Sequence, residues 1–461
     1  MRRMIQFWSF VVVSAAFMAM PVTNLFAAEM IDVIDAGDVD DPFDFRADVT
    51  FRRTLRRAKL TREFNCGQGE FAGSVSGQDP CPFAPPEGEL LNVKELRFER
   101  VVQEIVPNIR IGLYQDLELF IEAPVTLSNV QGIRFAGNGG NKNGVVITPE
   151  NSTIMPANGA DLFNVPPENL PTRAGFGDML FMIRYSPISQ IRDPQRSTWT
   201  FEVGYRAPTG DVMEAGNKAV GRGVHELVLA TGLSKAFRYV DPYTRFELVM
   251  PFAAAGSRFK DYRDAQDYVG PGQRMKFDVG AEFSPYFNPE TGAKVFFDLG
   301  FSASYQAEGR DYSELFDAIG MANTPCPDAS GPATDSRNLP NQACFNPDSQ
   351  SEAAKTAHDG ITTVEQFMTV QAKMGVGIYV SEHAKLGASL SLAHETEHFI
   401  SNADVGSDVD GSGRVESRGQ AGYNPAEHNP TFSSAIDRPG RRIRVEETTV
   451  FGVGVSLALM L

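Results

Sequence analysis

One short stretch has the letters of a zinc site. From His394 to His398 the sequence is H-E-T-E-H, matching the pattern H-E-x-x-H, in which both histidines bind the metal and the glutamate acts as a base. That chemistry needs a helix, where residues four apart lie on one face. Here apolar residues alternate with small or polar ones from Leu386 to Leu392, and the alternation continues into the motif. This pattern predicts a strand, in which residues four apart are separated by roughly 13 Å. With no third ligand evident, we expect no zinc site.

A second stretch resembles the first half of a calcium-binding loop. Carboxylates stand at positions one and three (Asp408 and Asp410), a hydroxyl at position five (Ser412) and a glycine at position six. Position twelve is Gly419, where a bidentate glutamate is needed, and Glu416 replaces it only with another geometry. A flexible acidic turn is the favoured interpretation, and a calcium site is the alternative.

Serine hydrolysis is a third chemistry that the sequence brings to mind. This chemistry needs a serine and a histidine side by side on neighbouring strands, as in some outer-membrane phospholipases. His225 is the candidate histidine, because its position in the sequence would place it on the outer face of its strand. No nucleophile pattern such as G-x-S-x-G lies beside it. We therefore predict that the protein is not an enzyme and uses no cofactor.

These residues lie in a sequence dominated by a period of two. From Trp199 to Arg206, apolar side chains on odd numbers alternate with polar or small ones on even numbers. This pattern predicts a strand with one apolar and one polar face. Charges recur on the polar face from strand to strand, which suits a water-filled interior, while the apolar face would meet lipid.

The same alternation predicts twelve strands between residue 43 and residue 461. The connections after odd-numbered strands are long, at about 15 to 55 residues, whereas the others are turns of about three to ten. The longest predicted loops cover about 128–173, 307–361 and 397–441. The expected fold is all-β, a transmembrane antiparallel β-barrel of about 12 strands with short periplasmic turns and long extracellular loops, in the bacterial outer membrane.

The interior face of this barrel is predicted to carry charges of both signs. They can pair across the interior, so an occluded barrel is the alternative to an open channel. Acidic positions outnumber basic ones, which would mildly favour cations in an open pore. The predicted lumen-lining residues are Glu104, Arg110, Glu118, Glu122, Asp178, Arg184, Glu202, Arg206, Glu226, Arg245, Glu247, Lys276, Asp278, Glu282, Lys294, Asp298, Gln371 and Lys373.

The N-terminus predicts export. A basic head at residues 1–4 precedes an apolar stretch to Met20, and Ala27-Ala28 offers a cleavage point. We predict a signal peptide over 1–28, a periplasmic lead-in over 29–42 and the barrel over 43–461. The chain of 461 residues has a formal charge of −16, which argues against nucleic acid as a partner.

The four cysteines agree with an oxidising compartment. Cys66 and Cys81 lie in one Gly- and Pro-rich segment, and Cys326 and Cys344 lie in another. Four cysteines allow three disulfide connectivities, of which local pairing within each segment is the most economical. Because neither pair has C-x-x-C spacing, a metal site built from them is poorly supported.

A family resemblance rests on residues 174 to 305. The sequence Y-R-A-P-T-G-D at 205–211, glycines at 216, 221 and 223, and L-S-K at 233–235 resemble the outer-membrane transporters of the phenol meta-cleavage pathway family. The upstream G-F-G-D-M at 175–179 fits the same pattern. The resemblance implies a transporter for hydrophobic or aromatic compounds, although the predicted interior residues do not show that preference.

The sequence thus predicts a monomeric outer-membrane channel or transporter for small molecules. Its expected partners are outer-membrane lipid, the barrel-assembly machinery and a small-molecule solute. The alternative function is a structural or adhesive surface protein with a plugged barrel and functional external loops. Long loops with predicted disulfides favour this alternative slightly, and the charged interior is compatible with both.

Overall fold

A computed structural model describes residues 28–34, 44–65, 90–137, 170–261, 265–288, 290–321, 344–345, 356–357, 359–416, 421–432 and 436–461. The predicted signal peptide lies outside these ranges except for Ala28. Cys66, Cys81 and Cys326 also lie outside them, and only the backbone of Cys344 is described, so the disulfides stay a prediction.

The described chain is almost entirely β. Its barrel strands are β1 (Phe45–Asn65), β2 (Leu90–Tyr114), β3 (Leu117–Glu122), β4 (Val125–Phe135), β5 (Arg173–Phe176), β6 (Met179–Ile188), β7 (Thr198–Ala207), β8 (Val224–Ser234), β9 (Val240–Ala253), β10 (Arg274–Phe287), β11 (Lys294–Gln306), β16 (Phe367–Ser381), β17 (Ala384–Glu395) and β19 (Ile443–Met460). Between and beside them lie β12 (Gly309–Asp311), β13 (Cys344–Phe345), β14 (Thr356–Ala357), β15 (Thr362–Val364), β18 (His398–Phe399), the helix α1 (Phe316–Gly320) and a 3-10 turn at Pro425–Glu427.

The barrel closes because its first strand pairs with its last. Antiparallel β1 lies between β2 and β19, with Val49 opposite Pro107 on one side and Leu457 on the other. The other barrel strands pair antiparallel with their neighbours in chain order, so the ring has no free edge.

Two positions around the ring are each formed by a pair of consecutive strands. β3 and β4 are separated by residues 123–124, and both pair with β2. β5 and β6 are separated by residues 177–178; β5 pairs with β4, and β6 pairs with β3. At the break the amide of Gly177 donates to the carbonyl of Pro124 at 2.8 Å. Counted this way, the ring has twelve positions, which confirms the predicted fold.

The outer face of the ring is apolar, as the alternation predicts. Along β7 the side chains of Trp199, Phe201, Val203 and Tyr205 are all exposed, and the residues between them are turned inward. A continuous exposed apolar face of this kind is stable only against lipid. Short connections gather at one end of the barrel, here the turn end, and long ones at the other, the loop end. The protein is therefore an outer-membrane barrel with a periplasmic turn end.

Several connections carry more structure than the sequence predicts. β1 continues to Asn65 rather than ending near residue 57, and β4 continues to Phe135 inside the predicted loop 128–173. The predicted loop 307–361 contains α1 and β12, and β12 pairs with β15 just beyond it. Within the described ranges no helix is long and apolar enough to cross a membrane.

Candidate functional site

The interior side chains form a connected chain of ion pairs across neighbouring strands. Arg110 on β2 bonds Glu118 at 2.7 Å, and Glu118 also lies 3.1 Å from Arg184 on β6. Arg184 then lies 3.2 Å from Glu202, which pairs with Arg245 on β9 at 2.6 Å. Because each carboxylate is shared by two guanidinium groups, buried charges of both signs are compensated within the wall.

Residues 28–34 cross the interior near the turn end, and we call them the plug segment. Their polar contacts reach strands around most of the ring. The amide of Ala28 donates to Ser234 on β8, and that of Glu29 donates to Glu282 on β10. The amide of Ile34 donates to Glu118 on β3 at 2.9 Å. The structure thus places Ala28, the last residue of the predicted signal peptide, and residues 29–34 of the predicted lead-in inside the barrel.

The strands also donate to the backbone of the plug segment. The carbonyls of Met30, Ile31 and Asp32 accept hydrogen bonds from Arg184 on β6, Thr200 on β7 and Arg110 on β2, at 3.1, 2.8 and 2.7 Å respectively. Satisfying these backbone groups removes the cost of burying them. The segment is consequently held by main-chain bonds as well as by side chains.

Apolar packing completes the contact between the plug segment and the wall. Ala28 and Ile31 are fully buried and cluster with Tyr243 of β9. A Cβ atom added to Gly232 of β8 would overlap the Cδ1 atom of Ile31. Glycine at this inward position therefore makes room for the segment.

At the loop end, residues 309–321 and 359–364 fold over the mouth, and we call them the cap. Leu315, Ala318 and Ile319 pack in one apolar cluster with wall residues such as Leu60 and Phe98. On the other side Phe316 packs with Val224, Phe259 and Ile361. The cap thus contacts two sides of the mouth and narrows it.

Among the ion pairs that fasten the cap to the barrel, two involve Asp317 and Glu314. Arg173 and Asp317 are both buried and lie 2.6 Å apart, and Asp317 also accepts from the amide of Gly216. Arg56 of β1 bonds both Glu314 of the cap and Glu395 of β17. Burial raises the pKa of the Glu314 carboxyl, but Arg56 opposes it, with help from His398, and the pKa is lowered below its ordinary value.

Between the plug segment and the cap, most of the exposed charges are cationic. Side-chain exposures are 49% for Arg52, 43% for Lys373, 39% for Arg274, 37% for Lys276 and 27% for Arg206. Their carboxylate partners are less exposed, at 19% for Glu122, 12% for Asp298, 9% for Asp278 and 3% for Glu226. In these pairs the acid lies close to the wall and the longer basic side chain extends over it. The Arg245–Glu247 pair is the reverse, with exposures of 13% and 24%.

The structure places the predicted lining residues in three settings. Arg110, Glu118, Asp178, Arg184, Glu202, Glu226, Asp278, Glu282 and Asp298 are buried, and Glu104, Glu122, Arg206, Arg245, Glu247, Lys276, Lys294 and Gln371 are half-buried. Lys373 is exposed. Asp178 is in a different situation from the others, because its carboxylate accepts from the amides of Gly210 and Arg222 and holds a loop.

Other interior residues were not among the predicted ones. Arg46 and Lys385 bind the plug segment, and Arg52 and Arg274 contribute exposed charge. Arg46, Arg52 and Lys385 lie on the polar parity of their strands, so the alternation could have identified them. Arg222, which pairs with Asp311 of the cap at 2.8 Å, lies in a connection without periodicity.

The catalytic motifs in the sequence have structural partners instead. His394 Nδ1 lies 2.9 Å from the carbonyl of Thr448, and His398 stacks on Phe367. The two histidines belong to β17 and β18 and not to a helix, as the alternation predicts. His225 Nδ1 lies 2.6 Å from the hydroxyl of Tyr205 on the outer face.

Comparison with known proteins finds matches at low identity only. No family model and no curated protein sequence matches the chain. An outer membrane channel from Pseudomonas putida F1 is 8% identical over 97% of this chain and 98% of that chain, with a TM-score of 0.37. A Pseudomonas aeruginosa FadL homologue is 8% identical over 91% and 90%, with a TM-score of 0.29.

The outer membrane protease OmpT from Escherichia coli is similar at 7% identity over 91% of this chain and 97% of that chain, with a TM-score of 0.28. Similarity this low assigns neither a family nor a solute. The strand pairing and the apolar outer face carry the assignment: the protein is a twelve-stranded β-barrel of the bacterial outer membrane.

Proposed function

We propose that this protein is an outer-membrane channel for small molecules, with a preference for solutes that carry an anionic group. The observation that carries the proposal is the set of exposed cationic side chains between the plug segment and the cap. A ring or patch of exposed Arg and Lys inside a pore lowers the free energy of an anion there and raises that of a cation.

This selectivity is opposite to the cation preference expected from a count of residue types. The count gives every charge equal weight, whereas a solute interacts most strongly with charges exposed along its path. Glu226 illustrates the difference, because its carboxylate is buried and surrounded by Arg206, Arg222 and Arg274. These three guanidinium groups compensate the charge of Glu226, so it contributes little to the attraction of a cationic solute.

Hydrophobic or aromatic compounds are the solute class that the family resemblance implies. The charged lining described above gives an uncharged hydrocarbon little to bind. An aromatic carboxylate would combine the aromatic group that the family resemblance implies with the anionic group that the exposed cations favour. We therefore propose small organic acids, including aromatic ones, as the preferred solutes.

The path is obstructed in this structure, so transport requires movement. The plug segment contacts β1, β2, β3, β6, β7, β8, β9, β10 and β17, whereas the cap contacts the opposite mouth. We propose that release of the plug segment opens the periplasmic end. We also propose that the barrel is a monomer inserted by the barrel-assembly machinery; its closed ring leaves no strand edge to pair with a second copy.

Solute uptake into liposomes tests the proposal. The refolded barrel lacking residues 28–34, which the proposal expects to be open, would be compared with empty vesicles for entry of benzoate, benzyl alcohol and a cationic aromatic amine of similar size. Faster entry of benzoate than of the amine is expected, since only the acid pairs with the exposed cations. Equal entry of all three, or preference for the amine, would overturn the proposed selectivity.

Closure at both ends also favours a second function. A barrel whose interior is permanently filled would serve as a scaffold for its external loops. In that case no solute would enter the vesicles, even from a protein whose folded state is verified, and binding of the loops to other cells would be the activity to measure.

A further inference from the structure

The external connection between β18 and β19 brings three carboxylates together. One oxygen from each of Asp408, Asp410 and Glu427 lies within 4.8 Å of the other two. Asp408 and Asp410 are exposed, whereas Glu427 is fully buried. Residues 408–413 carry the calcium-loop pattern noted in the sequence, and Glu427 reaches them from the following turn.

The two oxygens of Glu427 differ in their environment. Oε1 accepts hydrogen bonds from the amides of Val409 and Asp410, at 3.2 and 3.0 Å. Oε2 is buried and has no hydrogen-bond partner among the described residues. A buried carboxylate oxygen without a donor is costly, and a bound cation is one of the few ways to compensate it.

A second buried oxygen beside this loop has the same environment. Glu416 is 3% exposed, and its Oε2 also lacks a partner within the described part of the chain. Its Oε1 accepts from Arg414 at 3.0 Å. Glu416 stands outside the group of three carboxylates, so the orphaned oxygen of Glu427 is the one that points to a bound cation at that group.

We propose that Asp408, Asp410 and Glu427 bind one divalent cation, and that this cation is calcium. All three donors are carboxylate oxygens, which suit a hard cation, and the exposed rim leaves room for water to complete the coordination. Glu427 supplies the carboxylate that position twelve, Gly419, does not. The irregular spacing favours Ca²⁺ over Mg²⁺, because Mg²⁺ demands near-ideal octahedral geometry.

The ion would fasten one external loop to the rest of the loop end. The turn that holds Glu427 continues to Asn429, whose side chain donates to Asp267 in the connection between β9 and β10 at 2.8 Å. Asp267 also accepts from the amide of Asp404 at 2.9 Å. A cation at Glu427 therefore orders residues 408–413 against a turn that is already tied to a neighbouring loop.

Calorimetric titration of the refolded, EDTA-treated barrel with CaCl₂ and with MgCl₂ tests the site. We expect one Ca²⁺ per chain with a Kd of about 10⁻⁴ to 10⁻³ M, the range of extracellular calcium modules, and weaker Mg²⁺ binding. Trypsin gives a second readout, since Arg414 lies between the ligands and its side chain is 71% exposed. Calcium should slow cleavage there.

Asp410→Asn and Glu427→Gln should each weaken Ca²⁺ binding at least about tenfold, because affinity follows the number of charged ligands. Asp404→Asn is the matched control, since it removes one exposed carboxylate from the same connection outside the cluster, and it should bind as the unchanged protein does. Folding of each variant is checked by heat-dependent mobility in SDS gels. No binding at 10 mM Ca²⁺, equal Mg²⁺ binding, or unchanged affinity in folded Asp410→Asn would overturn the proposal.

Discussion

Arg46 on the first barrel strand and Glu29 in the plug segment are joined by an ion pair of 2.7 Å inside the barrel. Lys385, on the opposite side of β19 from β1, bonds the same Glu29 oxygen. Both cations are nearly buried; Glu29 compensates Lys385 and shares the charge of Arg46 with Asp48, which lies 2.9 Å from Arg46. These ion pairs link the charged wall of the barrel to the plug segment, which obstructs the interior.

Replacing Glu29 with glutamine should destabilise the closed state. Loss of hydrogen bonds to charged groups costs about 1.5–3 kcal/mol, which shifts a two-state equilibrium roughly tenfold to hundredfold. Single-channel recording should therefore show a higher open probability in Glu29→Gln. Glu382→Gln, in an exposed turn of the same barrel end, removes the same charge and should leave the open probability unchanged.

Adding a side chain at Gly232 should displace the plug segment by steric overlap. Gly232→Val places atoms where Ile31 lies, so conductance should rise without any change of charge. Gly132→Val is the control, because a Cβ atom there meets nothing within 4 Å. If both variants conduct alike, contact between Ile31 and β8 does not hold the segment.

The exposed cations should determine ion selectivity. Lys373→Gln and Arg274→Gln each remove a positive side chain from the section between the plug segment and the cap, so the reversal potential in a KCl gradient should move towards cations. Lys235→Gln, in a turn outside the interior, should not move it. A double variant that remains as anion-preferring as the unchanged protein would contradict the proposed lining.

The cap should loosen when Glu314 loses its charge. Glu314→Gln removes one of the two acids on Arg56, and conductance noise from the loop end should increase. The pKa of Glu314 lies below its ordinary value, so its ion pair is present above that ordinary value and is lost as pH falls through the lowered pKa. Acidification from pH 8 to pH 5 should therefore not reproduce the effect of the variant. Similar noise at pH 5 would argue against this role.

The sequence predicted the ring well because lipid imposes a strict period. Trp199 to Arg206 could satisfy both lipid and water only as a strand, and the sorting of short and long connections gave the count of strands. The same reasoning predicted Glu118, Arg184 and Glu202 on the interior face. Continuation of β4 to Phe135 was missed, because Ser128, Asn129 and Gly132 weaken the alternation there.

The position of residues 28–34 and the exposure of the interior side chains were harder to predict. Residues 28–34 have no period that reveals where they bind, and an acidic segment beside a predicted cleavage point is equally compatible with a solvated lead-in. Gly232 was a usable signal, since an inward glycine marks a close approach. The exposure of each charge could not be predicted either, because Lys373 and Asp298 both lie on the inward face and differ only in how far their side chains extend.

Conductance of a variant lacking residues 28–34, compared with the unchanged protein in planar bilayers, tests the central claim most directly. We expect the unchanged barrel to be mostly closed, and the shortened barrel to show steady, larger steps with anion preference in a KCl gradient. A shortened barrel that is folded and still silent would contradict a channel obstructed by the plug segment, and would favour a filled barrel that supports its external loops.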